Sequence, residues 1–158
     1  MVLAKILVLA ALATVCTSVT VTTFPCSGVN PVGSLVSVDV DPCPAGSSGG
    51  CIIYRGTNAT ITVTFKAGSS DSDPTAWFYG YVLGIKTPYP AGSSADVCNN
   101  LKSGNCPLQS GSEYVYTGTF QVLQSYPTIS LPVQIDITTG LASSGANEIC
   151  FLIPITIK

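Results

Sequence analysis

The sequence predicts an all-β chain, an immunoglobulin-like antiparallel β-sandwich of about seven strands, and three observations carry that expectation. Apolar residues recur with a period of two rather than 3.6, clusters of turn-forming residues separate the alternating stretches, and no segment reads convincingly as a helix. The 158 residues contain no internal repeat and no break in composition, which suits one domain.

The first 18 residues carry Lys5 near the start, an apolar run from Ile6 to Val15 and then small residues. This pattern predicts a secretory signal peptide over 1–18, too short to span a bilayer, followed by a single mature domain over 19–158. Within that domain the first expected strand has Val36, Val38 and Val40 alternating with Ser37 and Asp39. The clearest strand follows, with Ile61, Val63 and Phe65 on one face and Thr60, Thr62 and Thr64 on the other. Two β-prone stretches run from Ala76 to Ile85 and from Glu113 to Leu123. Val133, Ile135 and Ile137 then alternate with Gln134 and Asp136, and Ile153, Ile155 and Ile157 close the series. Turn clusters such as KAGSSDSDP at 66–74 and YPAGSSAD at 89–96 lie between these runs.

Cleavage near Ser18 removes Cys16 and leaves Cys26, Cys43, Cys51, Cys98, Cys106 and Cys150. An even count in an oxidising compartment implies three disulfides, and six cysteines allow 15 pairings. Cys43 with Cys51 and Cys98 with Cys106 each bracket a short turn-rich segment, which leaves Cys26 with Cys150 to tie the ends together. The chain has no histidine and no C-x-x-C spacing, so neither a zinc site nor a cofactor is expected. The same lack of histidine excludes a Ser-His-Asp or Cys-His catalytic arrangement. Of the carboxylate pairs, Asp39 and Asp41 share an exposed strand side, while Asp71 and Asp73 sit in a Ser- and Pro-rich turn. No catalytic residue is expected.

The mature part carries eight Asp and Glu against five Lys and Arg, since Lys5 leaves with the leader, for a net charge of −3. So mild an acidity offers nucleic acid no basic surface. Asn58-Ala59-Thr60 is a sequon for N-glycosylation. From composition alone a fully packed core is the ordinary reading of the Val and Ile sets and the scattered aromatics.

A further set of motifs resembles the ML lipid-recognition family, and within it the Niemann-Pick type C2 branch. Its residues run in order from Cys26 through Val38-Asp39-Val40-Asp41-Pro42-Cys43-Pro44 and Cys51 to Arg55-Gly56. They continue with Gly80-Tyr81-Val82-Leu83-Gly84-Ile85, Pro88-Tyr89-Pro90, Asp96-Val97-Cys98 and Asn105-Cys106-Pro107-Leu108. Tyr114-Val115-Tyr116, Tyr126-Pro127-Thr128-Ile129 and Cys150-Phe151-Leu152-Ile153-Pro154-Ile155 complete the match.

The resemblance implies the same three disulfides and an apolar ligand held between two splayed sheets. Tyr89, Val122 and Tyr126 match positions that touch the sterol in the family, with Tyr89 expected in a loop and Val122 sharing a strand face with Phe120. Pro127, Ile129, Val133, Ile135 and Phe151 match further wall positions. Asp96 matches an acidic position implicated in transfer, and Lys102 stands near it as a candidate partner charge. Lys86 and Thr87 depart from the family pattern and predict a more polar entrance. The implied function is a secreted, monomeric carrier of a sterol or other apolar lipid that meets a membrane surface or an acceptor protein. Lysosomal delivery, and carriage of fatty acids, semiochemicals or microbial lipids instead, are the alternatives. A structural sandwich without ligand is a third.

Overall fold

A computed structural model describes residues 19–43 and 50–158 of the chain. The signal peptide expected over 1–18 lies outside the described residues, as does most of the turn between Cys43 and Cys51.

Eleven strands fall among the described residues: β1 Val19–Thr20, β2 Phe24–Pro25, β3 Ser34–Asp41, β4 Cys51–Ile53, β5 Asn58–Lys66, β6 Thr75–Val82, β7 Ile85–Tyr89, β8 Leu101–Ser103, β9 Glu113–Gln121, β10 Ile129–Thr138 and β11 Asn147–Ile157. Seven of them are five residues or longer, which is the expected count. They form two sheets, one in the order β1-β3-β5-β9-β8 and one in the order β2-β11-β10-β6-β7. All these pairings are antiparallel, and β4 adds to β11 in parallel.

Alternation explains most of the layering. In β5 Ala59, Ile61, Val63 and Phe65 are buried between the sheets while Thr60, Thr62 and Thr64 face outward. In β3 the expected inward set is shifted: Val38 and Val40 are buried, but Val36 is 52 % exposed. The register slips between Leu35 and Ser37, so Leu35 faces Phe65 and packs on the core while Val36 is the extra residue of a bulge.

The stretch from Ala76 to Ile85 is two strands rather than one. β6 and β7 form a hairpin that turns at Leu83-Gly84, where Leu83 takes a φ of 51° and Gly84 a φ of 81°. Tyr89 therefore ends a strand, opposite Phe78, and does not lie in a loop.

The end of the sandwich away from this turn is tightly filled. Phe65, Tyr116, Leu108, Val97, Ile137 and Ile149 have essentially no exposed surface, and the Phe65 and Tyr114 rings lie 5.8 Å apart. The fully buried Glu148 carboxylate accepts the Gly68 N–H at 2.7 Å and the Ser69 hydroxyl, pinning the loop after β5 onto β11. Three disulfides join Cys26 to Cys150, Cys43 to Cys51 and Cys98 to Cys106, as expected.

Candidate functional site

Between the sheets at the hairpin end lies a cavity of about 350 Å³. Its walls come from both layers: Val40, Ala59, Ile61, Phe120 and Val122 from one, Phe78, Leu131, Val133, Ile135, Ile153 and Ile155 from the other. Side-chain reach accounts for the space. Stacked sheets sit about 10 Å apart, a distance that the Tyr and Phe rings of the filled end can span and that short β-branched chains cannot. At Gly80 the wall is completed by a neighbour, since a Cβ there would meet Leu131 Cδ1 at 2.9 Å.

An aromatic row lines one side. The Phe78 and Phe120 rings are 4.4 Å apart, and Tyr89 meets Phe120 edge-on at 5.7 Å. The Tyr89 hydroxyl donates to the Gln121 carbonyl at 3.0 Å, which links β7 in one sheet to β9 in the other. Burial, with the neighbouring Tyr126 phenol, pushes the Tyr89 hydroxyl above its ordinary pKa, so it stays a donor. Tyr126 follows the turn after β9, and its carbonyl takes a hydrogen bond from Arg55 Nη1 at 3.3 Å.

Eight of the nine residues expected on the ligand wall come together here: Tyr89, Phe120, Val122, Tyr126, Pro127, Ile129, Val133 and Ile135 all line the cavity. Val122 lies one residue beyond β9, held by its N–H to the Thr57 carbonyl and its own carbonyl to the Gly56 N–H. Phe151 is not in the wall. It is fully buried on β11, in register with Ile135 on one side and Pro25 on the other, and belongs to the packed part of the layer. The reading missed Val40, Ala59, Phe78, Leu131, Ile153, Ile155 and Ile157 as wall residues. For the isoleucines of β11 the signal was their alternation, which marks an inward face without saying whether that face meets protein or open space.

Asp96 and Lys102 do not pair; the one ion pair among the described residues lies elsewhere. Asp96 instead accepts the Asn99 backbone N–H at 3.0 Å and the Asn99 side-chain amide at 2.6 Å, bracing the short 3-10 turn Cys98–Asn100. Lys102 is exposed on β8.

The expectation of a polar entrance holds for Thr87, which lines the cavity, and fails for Lys86. Strand alternation turns Lys86 to the outer face, where Nζ lies 3.8 Å from Asp136 Oδ2 and 3.9 Å from the Tyr79 ring centre. Asp136 alternates with the apolar residues of β10 yet is itself buried, as is Gln134 beside it. The two belong to one network: Gln134 Nε2 donates to both Asp136 oxygens at 2.8 and 3.0 Å, and the Tyr81 hydroxyl donates to Gln134 Oε1 at 2.7 Å. Burial raises the Asp136 pKa, with Gln134 and Lys86 opposing the shift.

A family model described as the ML domain matches residues 20–157. The chain is 34 % identical over 128 residues to "NPC intracellular cholesterol transporter 2" of Canis lupus familiaris, which covers 80 % of this chain and 79 % of the relative. It is 32 % identical over 127 residues to "NPC intracellular cholesterol transporter 2 homolog a" of Drosophila melanogaster, covering 80 % and 81 %. Among solved structures, a Niemann-Pick type C2 protein from the Japanese carpenter ant superposes with a TM-score of 0.68 at 22 % identity, covering 90 % of this chain and 96 % of the other.

Proposed function

We propose, from the premise that the chain belongs to the ML domain family, that it is a carrier that holds a sterol between its two sheets and passes it on unchanged. Membership of this family makes it a non-enzymatic protein. The observation that carries the reading is the cavity itself: about 350 Å³ of space walled almost wholly by hydrocarbon, at the small end of the range for ligand pockets. Among the described residues no Lys, Arg, Asp or Glu lines it, which favours an uncharged guest over a carboxylate. The names of the mammalian and fly relatives point to cholesterol, and the proposal takes a cholesterol-like sterol as the ligand.

The driving force needs no catalytic group. A rigid guest that loses about 400 Å² of apolar surface to the walls gains roughly 10 kcal/mol. Association and ordering costs of at least about 4 kcal/mol reduce this, so burial alone accounts for an affinity of at most tens of micromolar, about 6 kcal/mol net. Tyr89 and Tyr126 suit the mouth because a tyrosine ring can face lipid while its hydroxyl finds a polar partner, the Gln121 carbonyl for Tyr89.

Transfer between membranes requires the mouth to meet a bilayer or an acceptor protein. The β6–β7 turn beside it carries Val82, Leu83 and Ile85 in the open, with Leu83 92 % exposed, and these are the residues proposed to touch the membrane first. The expected leader and the three disulfides support a secreted or lumenal protein. Asn58 is exposed at the start of β5, open to glycosylation. Asp96 and Lys102 are proposed as partner contacts only through their exposure, since neither faces the cavity.

Native mass spectrometry of the secreted protein tests the reading, with a bound lipid of sterol mass expected. Displacement of a fluorescent sterol should then occur at lower concentrations of cholesterol than of a fatty acid. Recovery of protein without lipid, together with no uptake of the fluorescent sterol, would remove the proposal.

A further inference from the structure

We propose that the Tyr89 hydroxyl is a gate: its bond to the Gln121 carbonyl sets how fast a lipid enters and leaves the cavity, without setting how tightly the lipid is held. The inference rests on the lipid-carrying reading above.

The argument begins at the sheet edges. β7 is an edge strand of its sheet, paired with β6 alone. In the other sheet β8 pairs with β9 only at Val115 and Tyr116, so from Thr117 to Gln121 β9 has β5 on one side and no strand on the other. The two free edges therefore border the same side cleft, and side chains rather than strand pairing close it.

Two closures exist among the described residues. The first is at Ser94, on the short helical turn Gly92–Ala95 that follows β7. Ser94 Oγ donates to the Thr119 carbonyl at 3.0 Å and accepts the Thr119 N–H at 3.1 Å, while the buried Tyr116 hydroxyl donates to the Ser94 carbonyl. Three bonds on a buried serine make this a fixed hinge. The second closure is Tyr89 to Gln121, nearer the mouth. It is one bond, between partly exposed groups, and it spans the opening where the wall residues Thr87, Pro88 and Pro90 are themselves exposed. A cleft held by three bonds at one end and by one at the other opens at the second.

The 350 Å³ of space is present with this bond made. A guest of that volume is thus compatible with the closed clasp, and the clasp has to part only while a rigid body passes. Phenylalanine at this position would keep the ring edge against Phe120 and lose the Gln121 bond together with the contact to the Tyr126 phenol. This separates rate from affinity.

The test compares wild type with Tyr89→Phe and with Tyr126→Phe, which removes the contact between the two phenols but leaves the Gln121 bond in place and should not reproduce the joint rise in both rates. Stopped-flow loading and release of dehydroergosterol are measured on each, with hydrogen exchange of the lipid-free proteins. Tyr89→Phe should raise loading and release together by about three- to tenfold, the scale of one ordinary hydrogen bond. Kd should stay within about twofold, because both rates move together. Amides of β7 should exchange faster by a similar factor while those of β10 and β11 do not change. Unaltered release with unaltered β7 exchange overturns the gate. So does faster release at constant loading, which would make the Tyr89 hydroxyl a determinant of affinity. If wild type takes up no sterol, the carrier reading fails, and hydrogen exchange alone decides whether the clasp holds the two edges together.

Discussion

Replacing Val122 by phenylalanine separates a true cavity from a packed core, because the two respond to added volume in opposite ways. The Val122 backbone is held by two hydrogen bonds to the turn before β5, so the new side chain has to project where the valine does, into the cavity. Phenylalanine adds four carbon atoms, on the order of 100 Å³ if each takes about the volume of a water molecule. That is nearly a third of the 350 Å³ available. In a filled core such an insertion costs about 1–3 kcal/mol, which at this size lowers the unfolding midpoint by roughly 2–12 °C. Into open space it should cost less than about 1 kcal/mol and move the midpoint by less than about 3 °C. The guest, by contrast, would lose roughly 100 Å² of apolar contact, enough to weaken sterol binding about a hundredfold. Calorimetry and fluorescent-sterol titration read the two effects independently. A midpoint lowered by much more than the open-space estimate, or sterol binding at wild-type affinity, would refute the reasoning.

Leu83→Asp should leave stability and sterol affinity unchanged, since the side chain is exposed and a positive φ suits Asp better than Leu, yet slow sterol transfer between vesicles several-fold; transfer at the wild-type rate would free the hairpin of a docking role. Asp136 carries a prediction about pH. Its folded pKa is raised above the unfolded value of 3.8, so the folded state binds the proton more readily, and the stability this confers is present at low pH and lost as pH rises through the folded pKa. Asp136→Asn should therefore flatten urea midpoints between the ordinary carboxylate range and neutrality without lowering the midpoint at pH 7, and a clear loss at pH 7 would mean that the Lys86 contact outweighs the burial cost. Cys26→Ser with Cys150→Ser opens a link of sequence separation 124, for an expected loss of about 4–5 kcal/mol in urea unfolding; a loss below about 1 kcal/mol would contradict the view that this link restrains the unfolded chain.

Alternation in β5 was legible because one face meets the interior and the other meets water, so each threonine and each apolar residue reports its side directly. On β10 the same pattern gives the correct direction for Gln134 and Asp136 and the wrong burial. The rings of Tyr79 and Tyr81 and the Lys86 chain lean over that face, and nothing in the spacing of β10 announces what neighbouring strands will lay across it. The β6–β7 hairpin was hidden by the residue at its tip. A positive φ ordinarily draws Gly, Asn or Asp, whereas Leu83 keeps the run from Ala76 to Ile85 looking like one strand. The ligand wall was legible through resemblance rather than periodicity, which cannot distinguish Phe151, packed against its neighbours, from Ile153 two positions on, which borders the cavity.

That distinction is a matter of what stands opposite. The filled end sets Phe65, Tyr114 and Tyr116 into the space between the layers, while at the hairpin end the Phe78 and Phe120 rings stack along one side and Val, Ile and Ala face each other across the rest of the gap. Leaving the gap empty is expensive. At about 24 cal/mol per Å³, the coefficient measured for engineered cavities, 350 Å³ corresponds to roughly 8 kcal/mol, comparable with the whole stability of an ordinary domain. A fold that leaves such a void unfilled needs stabilisation from elsewhere, and the packed end together with the three disulfides supplies it. An apolar guest that restores the missing contacts lowers the same cost. The feature that weakens the empty protein is therefore also the source of its affinity, and enlarging the packed end at the expense of the gap would exchange one for the other.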